Sequence, residues 1–366
     1  MKVVILQKNL DKALATVSRL IQSNNSLPVL NNVLLITSNG RLELQATNLE
    51  LSISYKIGAK VEKKGSISVP ARLLNDLIHS LKDEKIQLIQ AKDNLEIHTS
   101  QLNSTLNGIN ASEFPKVPKI TTKQQFSISA KKLLDAFEYV IPAVSIDESR
   151  PVLTGVYCKI SSSNLTVAAT DSYRLAQYLV TQVEAKDIEV IIPYRTILEL
   201  IRIVKSDEIK NIDVGITSNE IIFSTDEFSI TSQLIEGSYP DYTKIIPEKS
   251  ATSIVLEKEE LQSALKVASL FSRENANTIT IQSDKKEIQI HSEGAQVGTN
   301  ISKIPAKISG DTTNINLNAR YLIDALNTIG SSSVSIYLND KLDPCLLSSD
   351  DKKKSQNFHI IMPLRS

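Results

Sequence analysis

The chain has 366 residues with 41 basic and 41 acidic side chains, and its residues are 41% apolar and 22% charged. This composition excludes a disordered chain and is typical of several folded domains, since about 100–200 residues make one domain. A net charge of zero argues against a protein held on nucleic acid by its overall electric field, so any such binding needs a local basic surface.

The cellular compartment is indicated by what the chain lacks. Its N-terminal apolar run covers only four residues, Val3 to Leu6, which is too short for a secretory signal. No stretch approaches the ~18 apolar residues of a membrane span. Cys158 and Cys345 form neither a C-x-x-C motif nor a disulfide framework. We therefore expect a cytoplasmic protein.

Hydrophobic periodicity predicts six helices separated by strands. Leu10, Ala13, Leu14 and Val17 follow helical spacing, whereas runs such as Leu42-Glu43-Leu44 alternate as strands do. In chain order, the helices and the short strands that open each third of the chain are predicted as strand 3–6, helix 10–21, helix 72–82, strand 126–128, helix 131–140, helix 195–205, strand 253–256, helix 258–271 and helix 320–329. Polar segments at 119–124 and 248–252 are predicted linkers.

Short motifs recur at nearly constant spacing. Pro28-Val29-Leu30 and Pro151-Val152-Leu153 are 123 residues apart, and Ala46-Thr47-Asn48 is followed by Ala169-Thr170-Asp171 at the same spacing. Leu317 to Arg320 is a weaker third copy of a motif that occurs at Val69 and Ile192. We interpret the chain as three tandem α+β domains, 1–121, 124–248 and 249–366, each with two helices packed on an antiparallel sheet.

Three domains of this size can be arranged in two ways. A domain of about 122 residues has a diameter of roughly 35 Å, and six in a closed ring leave a hole of about the same width, enough for a nucleic-acid duplex. Two chains joined head to tail would supply six domains. The alternative is three domains in a row without a hole, and a rival function is an enzyme or small-molecule-binding protein built from three similar domains.

Four segments carry a resemblance to a known family. Residues 69–74 (VPARLL), 168–176 (AATDSYRLA), 236–247 (EGSYPDYTKIIP) and 360–366 (IIMPLRS) resemble the β sliding clamps of bacterial DNA polymerase III, in the same order along the whole chain. The resemblance implies a cytoplasmic, head-to-tail homodimeric ring around duplex DNA. It implies no enzymatic activity and no cofactor. The expected partners are a clamp loader, the replicative polymerase, other polymerases and repair proteins.

The family places the helices around the central hole, where basic side chains meet phosphates without reading sequence. Arg72 and Arg195 recur at the start of the same helix in two copies. For any one cation, a solvated helix face or a structural ion pair is the alternative. The residues expected to contact DNA are Arg19, Arg72, Arg150, Arg195, Arg202, Lys205 and Arg273.

The family also binds short linear peptides of its partners in an apolar pocket, with cations for the peptide's carbonyls and acids. Leu153 and Ile360 could instead be ordinary core residues. Ser172 and Tyr173 stand where the family more often has glycine followed by histidine or tyrosine. The residues mapped onto the pocket are Leu153, Thr170, Ser172, Tyr173, Arg174, Leu175, Pro240, Lys244, Ile245, Pro344, Leu346, Ile360, Met362, Pro363, Leu364 and Arg365.

Other chemistry is not supported by the sequence. The four histidines lie far apart, and no glycine-rich phosphate loop occurs. Asp171 could be imagined as catalytic, but Asn48 stands at the same place in the first copy, which indicates a structural position. The sequence predicts no catalytic site and no metal. For the contact between chains, edge strands near 78–87 and 278–290 are the expectation.

Overall fold

A computed structural model describes residues 1–21, 27–82, 84–117, 124–349 and 356–364. It divides into two compact units. The first unit contains Met1–Ala130 and Leu198–Leu234, and the second contains Lys131–Ile197 and Ile235–Ser366. Most of the predicted linker at 119–124 lies outside the described residues, as does Arg365.

Each third of the chain follows the same element order, in which a strand leads into a helix, a group of strands leads into a second helix, and three strands follow. The elements of the first third are β1 (Lys2–Leu6), α1 (Gln7–Val17), β2 (Asn32–Ser38), β3 (Arg41–Thr47), β4 (Leu51–Gly58), β5 (Lys60–Lys63), β6 (Ser66–Pro70), α2 (Ala71–Ser80), β7 (Lys85–Ala91), β8 (Asn94–His98) and β9 (Asn103–Asn107).

The second third has the same order with one strand fewer. Its elements are β10 (Gln124–Ser129), α3 (Ala130–Val140), β11 (Gly155–Ser161), β12 (Asn164–Thr170), β13 (Arg174–Thr181), β14 (Ile188–Pro193), α4 (Tyr194–Ser206), β15 (Asn211–Ile216), β16 (Glu220–Ser224) and β17 (Phe228–Gln233).

The last third again has nine strands and two helices within the described residues. Its elements are β18 (Thr252–Glu257), α5 (Lys258–Phe271), β19 (Thr278–Ser283), β20 (Glu287–Gly294), β21 (Gly298–Pro305), β22 (Lys307–Gly310), β23 (Asn314–Asn318), α6 (Ala319–Thr328), β24 (Ser333–Leu338), β25 (Cys345–Ser349) and β26 (Phe358–Ile361).

Five of the six predicted helices begin within one residue of their predicted start, and α5 matches at both ends. The prediction for α1 was wrong, because the helix begins at Gln7 and gives way to a 3₁₀ turn, Ser18–Leu20. Gln7 is buried, and its side-chain amide donates to the carbonyl oxygen of Ile78 at 2.9 Å. A polar side chain at a buried position interrupts the apolar periodicity, so the pattern missed the first turn.

Within the described residues, four antiparallel sheets carry the fold. The first unit has one sheet in the order β5-β1-β7-β8-β9 and another in the order β10-β15-β16-β17-β4-β3-β2-β6. The second unit has one sheet in the order β14-β11-β12-β13-β26-β25-β24-β18-β22 and another in the order β21-β20-β19-β23. In the two large sheets, strands from consecutive thirds of the chain pair directly, β17 with β4 and β26 with β13.

The expected edge strands were wrong. Residues 78–87 cover the end of α2 and the start of β7, and β7 lies between β1 and β8. Likewise, β19 lies between β20 and β23. The edges of the two smaller sheets are β5, β9, β21 and β23.

The apolar faces of the helices make the core. On α2, Ala71, Leu74 and Ile78 are fully buried, and α2 packs against α1. In the last third, α5 packs against α6 in the same way. No helix in the described part of the chain is long and apolar enough to cross a bilayer.

Candidate partner-peptide site and basic residues

The segment between β12 and β13 is a tight turn fixed by its own side chains. The carboxylate of Asp171 accepts from the backbone N–H groups of Tyr173 and Arg174, both at 2.9 Å. The hydroxyl of Thr170 donates to the carbonyl of Arg174 at 2.6 Å and accepts from the N–H of Ser172 at 3.1 Å. Threonine and aspartate are suited to this role because their short side chains reach the next few backbone groups.

The equivalent turn in the first copy has the same bonds. The side-chain oxygen of Asn48 accepts from the N–H groups of Glu50 at 3.1 Å and Leu51 at 2.7 Å, and the N–H of Leu49 donates to the Thr47 hydroxyl at 3.0 Å. The side-chain amide oxygen of Asn48 thus accepts the same backbone hydrogen bonds in the first copy that the carboxylate of Asp171 accepts in the second. Asp171 therefore has a structural role in this turn.

Ser172 adopts a backbone conformation that favours glycine. Its φ is +77°, and Leu49 in the first copy has a φ of +78°. A side chain in this left-handed region costs roughly 1–2 kcal/mol. Glycine would adopt this φ without that cost, and the turn with Ser172 keeps the same N–H to threonine hydrogen bond as the turn with Leu49.

We expect Ser172→Gly to raise the free energy of unfolding by up to about 1 kcal/mol, because relief of strain exceeds the added entropy of the unfolded chain. Leu49→Gly is the matched variant in the first copy and should act in the same direction. Denaturant unfolding measures both. A loss of stability in both variants would contradict the assignment of strain.

Arg174 ties this turn to helix α6. Its Nε donates to Asp171 at 3.0 Å, and its Nη1 donates to Asp324 at 2.6 Å. Its guanidinium also lies over the ring of Tyr321, 4.4 Å from the centroid. With three partners and a mostly buried side chain, Arg174 is held in place, so one face of the turn is a rigid surface.

The C-terminal strand brings distant parts of the sequence to this turn. Strand β26 pairs with β13, with Leu175 opposite Ile360. Beyond the strand, the N–H of Met362 donates to the carbonyl of Tyr173 at 2.8 Å, and the N–H of Leu364 donates to the carbonyl of Asn316 at 2.8 Å. The predicted pocket residues at 170–175 and 360–364 therefore lie side by side.

An apolar cluster forms the floor beneath these residues. Leu153, Leu175 and Ile360 are fully buried in it, while Leu346 and Met362 are partly buried and pack against it. The sequence missed several members, although three of them, Tyr239, Tyr242 and Ile246, lie in the segment 236–247 that carries the resemblance. The missed residues are Val152, Tyr157, Ala168, Ile191, Ile235, Tyr239, Tyr242, Ile246 and Phe358.

Tyrosines give the cluster its shape. The rings of Tyr157 and Tyr239 stack with centroids 4.9 Å apart, and Tyr242 meets both edge-on. The hydroxyl of Tyr242 donates to Gln177 at 2.9 Å, and burial raises the pKa of Tyr242 to about 12. These hydroxyls remain neutral at physiological pH.

The remaining predicted pocket residues are exposed or half-buried. Tyr173 is 62% exposed and Ile245 is 37% exposed. Lys244 is exposed and forms an ion pair with Asp241 at 3.4 Å. Ser172 and Pro240 are exposed, and Pro344 and Pro363 are half-buried. The exposed ring of Tyr173, beside Met362 and the buried apolar cluster, is suited to receive a short peptide.

A polar cavity of about 620 Å³ lies elsewhere in the second unit and contains none of the predicted pocket residues. Tyr139 and Thr328 line it, and both also contact His359. Its lining is polar, so it does not fit an apolar peptide anchor.

Of the cations predicted to meet DNA, Arg19 and Arg202 share one acid. Arg202 pairs with Glu199 at 2.5 Å, and Arg19 lies 3.9 Å from the other oxygen of the same carboxylate. Glu199 is 8% exposed. Ion pairing with a buried acid holds both guanidinium groups in place but also offsets part of the charge they present to a phosphate.

The other predicted cations are exposed and spread over both units. Arg72 donates to the carbonyl of Ile21 at 3.3 Å, and Arg195 lies in the first turn of α4. Arg150 donates to the hydroxyl of Ser172 at 3.0 Å, which places it beside the peptide site. Arg273 lies in a 3₁₀ turn after α5, and Lys205 lies in the last turn of α4.

Comparison with known proteins covers the whole chain. Family models of the DNA polymerase III beta subunit match residues 1–118 (N-terminal domain), 127–241 (central domain) and 243–365 (C-terminal domain). The beta sliding clamp of Synechococcus elongatus is 30% identical, with 100% of this chain and 99% of that protein covered. The beta sliding clamp of Bacillus subtilis is 28% identical, with both chains covered in full.

Solved structures agree with the family match. The DNA polymerase sliding clamp from Bacillus subtilis has a TM-score of 0.95 at 26% identity, covering 100% of this chain and 99% of that one. The Pseudomonas aeruginosa sliding clamp bound to griselimycin has a TM-score of 0.95 at 27% identity, with both chains covered in full.

Three clamp domains of helices on antiparallel sheet define a DNA sliding clamp, the class of protein that gives a polymerase processivity and is not itself an enzyme. The resemblance read from residues 69–74, 168–176, 236–247 and 360–366 is confirmed. The chain belongs to the bacterial DNA polymerase III beta subunit family.

Proposed function

We propose that two copies of this chain close head to tail into a ring around duplex DNA and recruit partners through the site at Arg174 and Met362. The observation that supports the ring is the way one third of the chain joins the next. Strands β4 and β17 continue one sheet, and strands β13 and β26 continue another. If each third of the chain pairs with the next in this way, the first and the last third each keep one strand without such a partner, and a second copy can supply it.

The domains proposed are 1–121, 124–248 and 249–366. The residues proposed to contact DNA are those named from the sequence, Arg19, Arg72, Arg150, Arg195, Arg202, Lys205 and Arg273. Their contacts would be independent of sequence and weakened by salt, which suits a protein that must slide. The protein would act in the cytoplasm, where replication takes place.

The partner site would bind short linear segments of the replicative polymerase, the clamp loader, other polymerases and repair proteins. Support comes from the juxtaposition of Tyr173, Arg174 and Met362 over the apolar cluster. The cluster can receive the apolar side chains of such a segment.

Topological retention on DNA tests this function. A 40.4 kDa chain should form a dimer of about 80 kDa in light scattering, twice the monomer mass. After loading, it should remain on closed circular DNA at about 0.5 M salt, where phosphate contacts alone are largely screened, and leave once the circle is cut. Equal retention on linear and circular DNA, or a monomer at micromolar concentration, would rule out the ring.

A further inference from the structure

The polar cavity of about 620 Å³ lies where the second third of the chain meets the last third. Helix α3 and strand β13 supply one wall, and the end of α6 with the segment that follows it supplies another. All of these residues belong to the second compact unit. Sites for small molecules have volumes of roughly 300–1,000 Å³, so this cavity is large enough for a small organic molecule.

The corresponding place at the junction between the first and second thirds is filled by three side chains. The ammonium group of Lys12 on α1 pairs with the carboxylate of Asp207, which follows α4. The other oxygen of this carboxylate accepts from the hydroxyl of Tyr55 at 2.6 Å. The side chain of Asp207 is only 6% exposed. An ammonium, a carboxylate and a phenol therefore close the first junction.

Two of these positions recur at the second junction with one change of charge. Asp135 stands 123 residues after Lys12, and Tyr178 stands 123 residues after Tyr55. The strand pairing of the two tyrosines is displaced by the same 123 residues. Burial, followed by the nearby negative charge of Asp135, raises the pKa of Tyr178. The second junction thus has a carboxylate beside a phenol, with an acid where the first has an ammonium.

A shorter connection after α6 leaves space beside this pair. Val204 and Ile329 are equivalent, at the same spacing as the motifs that open α4 and α6. The carbonyls of Lys210 and Ser332 are equivalent as well, since they accept from the first N–H of α3 at 2.9 Å and of α5 at 2.7 Å. Five residues, including Asp207, separate the first pair of positions in the second copy, but only two do so in the third. The third copy therefore has no counterpart of Asp207.

The charges around the cavity favour a positively charged ligand. Within the described residues Asp135 forms no ion pair, whereas Lys12 does. Lys131 and Glu138, one turn to either side on α3, also line the cavity, so its walls carry two carboxylates and one ammonium group.

The last turn of α6 adds to this preference. Asn327 and Thr328 line the cavity at the C-terminal end of the helix, where backbone carbonyls attract positive charge. Lys258 already donates to one of these carbonyls, that of Ile329, at 2.7 Å. An acid on α3 and a helix C-terminus thus border the same space.

Tyr139 supplies a separate indication of a ligand. Its side chain lines the cavity and is 6% exposed, yet its hydroxyl forms no hydrogen bond within the described residues. A partner for this hydroxyl is available only from the cavity. The rings of Tyr139 and Tyr178 meet edge to face with centroids 5.2 Å apart, and such rings pack against alkyl chains and attract ammonium groups.

A metal ion does not suit the cavity. The described part of the chain has no group of three or more histidine, cysteine, aspartate or glutamate side chains that could hold one. Carboxylate and phenol oxygens do suit an ammonium group, which has three N–H donors. The ligand that fits is therefore an organic cation with an alkyl chain.

We propose that this cavity binds a linear alkyl polyamine, one ammonium group of which donates to the carboxylate of Asp135 and to the phenol oxygen of Tyr178. This ammonium takes the place that Lys12 has at the first junction. The alkyl chain lies against the ring of Tyr139, and a second ammonium group reaches the C-terminal turn of α6. The site goes beyond the sliding-clamp function and does not depend on closure of a ring.

Isothermal titration calorimetry with spermidine tests the site, at about 0.15 M salt to screen attraction to surface acids. The wild type should bind one spermidine per chain with a saturable heat. Asp135→Asn should raise the dissociation constant at least about tenfold, because it removes a charge-assisted hydrogen bond. Asp340→Asn makes the same chemical change at an exposed acid outside the cavity and should leave the dissociation constant unchanged.

A second variant supplies the ammonium group covalently. Asp135→Lys restores at the second junction the residue type found at the first, and it should abolish spermidine binding. Asp135 is exposed, so the variant should fold. Spermidine should raise the thermal unfolding midpoint of the wild type, since a ligand of the folded state stabilises it, but not that of Asp135→Lys.

A neutral alkane diol of the same length is the matched probe and should bind at least about tenfold more weakly than spermidine. Equal binding of the diol would overturn recognition of an ammonium group. Spermidine that gave no saturable heat with the wild type, or that bound Asp135→Asn as tightly as the wild type, would overturn the site. Binding that is lost in both Asp135 variants and kept in Asp340→Asn supports it.

Discussion

Met362→Ala combined with deletion of residues 364–366 is expected to weaken binding of partner peptides at least about 30-fold, the loss typical of truncating a central anchor. Met362 packs against the apolar cluster, and its N–H is fixed by the carbonyl of Tyr173 at 2.8 Å. Truncation would remove the adaptable apolar contact, and deletion would remove the adjoining backbone and the cation of Arg365.

A labelled peptide from the clamp-binding segment of the organism's replicative polymerase, followed by fluorescence anisotropy, measures this loss. Leu49→Ala is the control. Leu49 is an exposed apolar residue in the first copy, at the turn position that Ser172 occupies in the second copy, and only Ser172 lies beside the site. This control should leave peptide affinity unchanged. Dimerisation should survive in both variants. If peptide affinity survived the Met362 change, the binding site would have to lie elsewhere on the protein.

Acid is expected to destabilise the second unit through His359. This side chain is 4% exposed, stacks on Tyr139 and bonds to the hydroxyl of Thr328 at 2.7 Å. Burial, with a smaller contribution from the positive charge of Arg174, lowers the pKa of His359 to about 3. The folded protein therefore keeps this ring neutral at pH values where an unfolded chain protonates it.

The direction of the pH dependence follows from the depressed pKa. Above about pH 6.5 the ring is neutral in both states, and its contribution to stability is fully present. As pH falls from about 6.5 toward 3, the unfolded state gains a proton that the folded state does not, so stability is lost. The loss from this group alone is on the order of 3 kcal/mol at pH 4.5.

Thermal unfolding of the wild type and of His359→Gln across pH 4.5–8 measures this contribution. The variant should be less stable at neutral pH, since a packed ring is lost, but its stability should fall less steeply on acidification. The comparison removes the contributions of other titrating groups, which both proteins share. Parallel pH profiles would show that His359 is protonated in the folded state or does not control acid unfolding.

The sequence located the helices well because their apolar spacing reports burial directly. The exception is α1, because Gln7 is polar in the sequence but buried in the fold, where its amide donates to the carbonyl of Ile78. The repeat spacing also placed Asp171 and Asn48 at the same position, and their identical hydrogen bonds confirm the structural role that this comparison predicted.

The site was predictable only in part. Resemblance identified the segments around Arg174 and Met362, which come together through the pairing of β13 with β26. It did not single out Tyr157, Tyr239 and Tyr242, because Tyr157 is distant in sequence from the segment 236–247 and the three tyrosines acquire a common role only where their rings meet.

By itself, the sequence determined that the chain consists of three related domains, has no net charge and is related to sliding clamps. These properties can be read from the sequence because residue spacing within a helix and the offset between repeats are both preserved along the chain. The tertiary structure decided which strands join one copy to the next and which are left as edges. Strand pairing joins residues more than a hundred positions apart, such as Leu51 and Ser232, and no local pattern encodes that choice. The free edges at β9 and β21 follow from that choice alone.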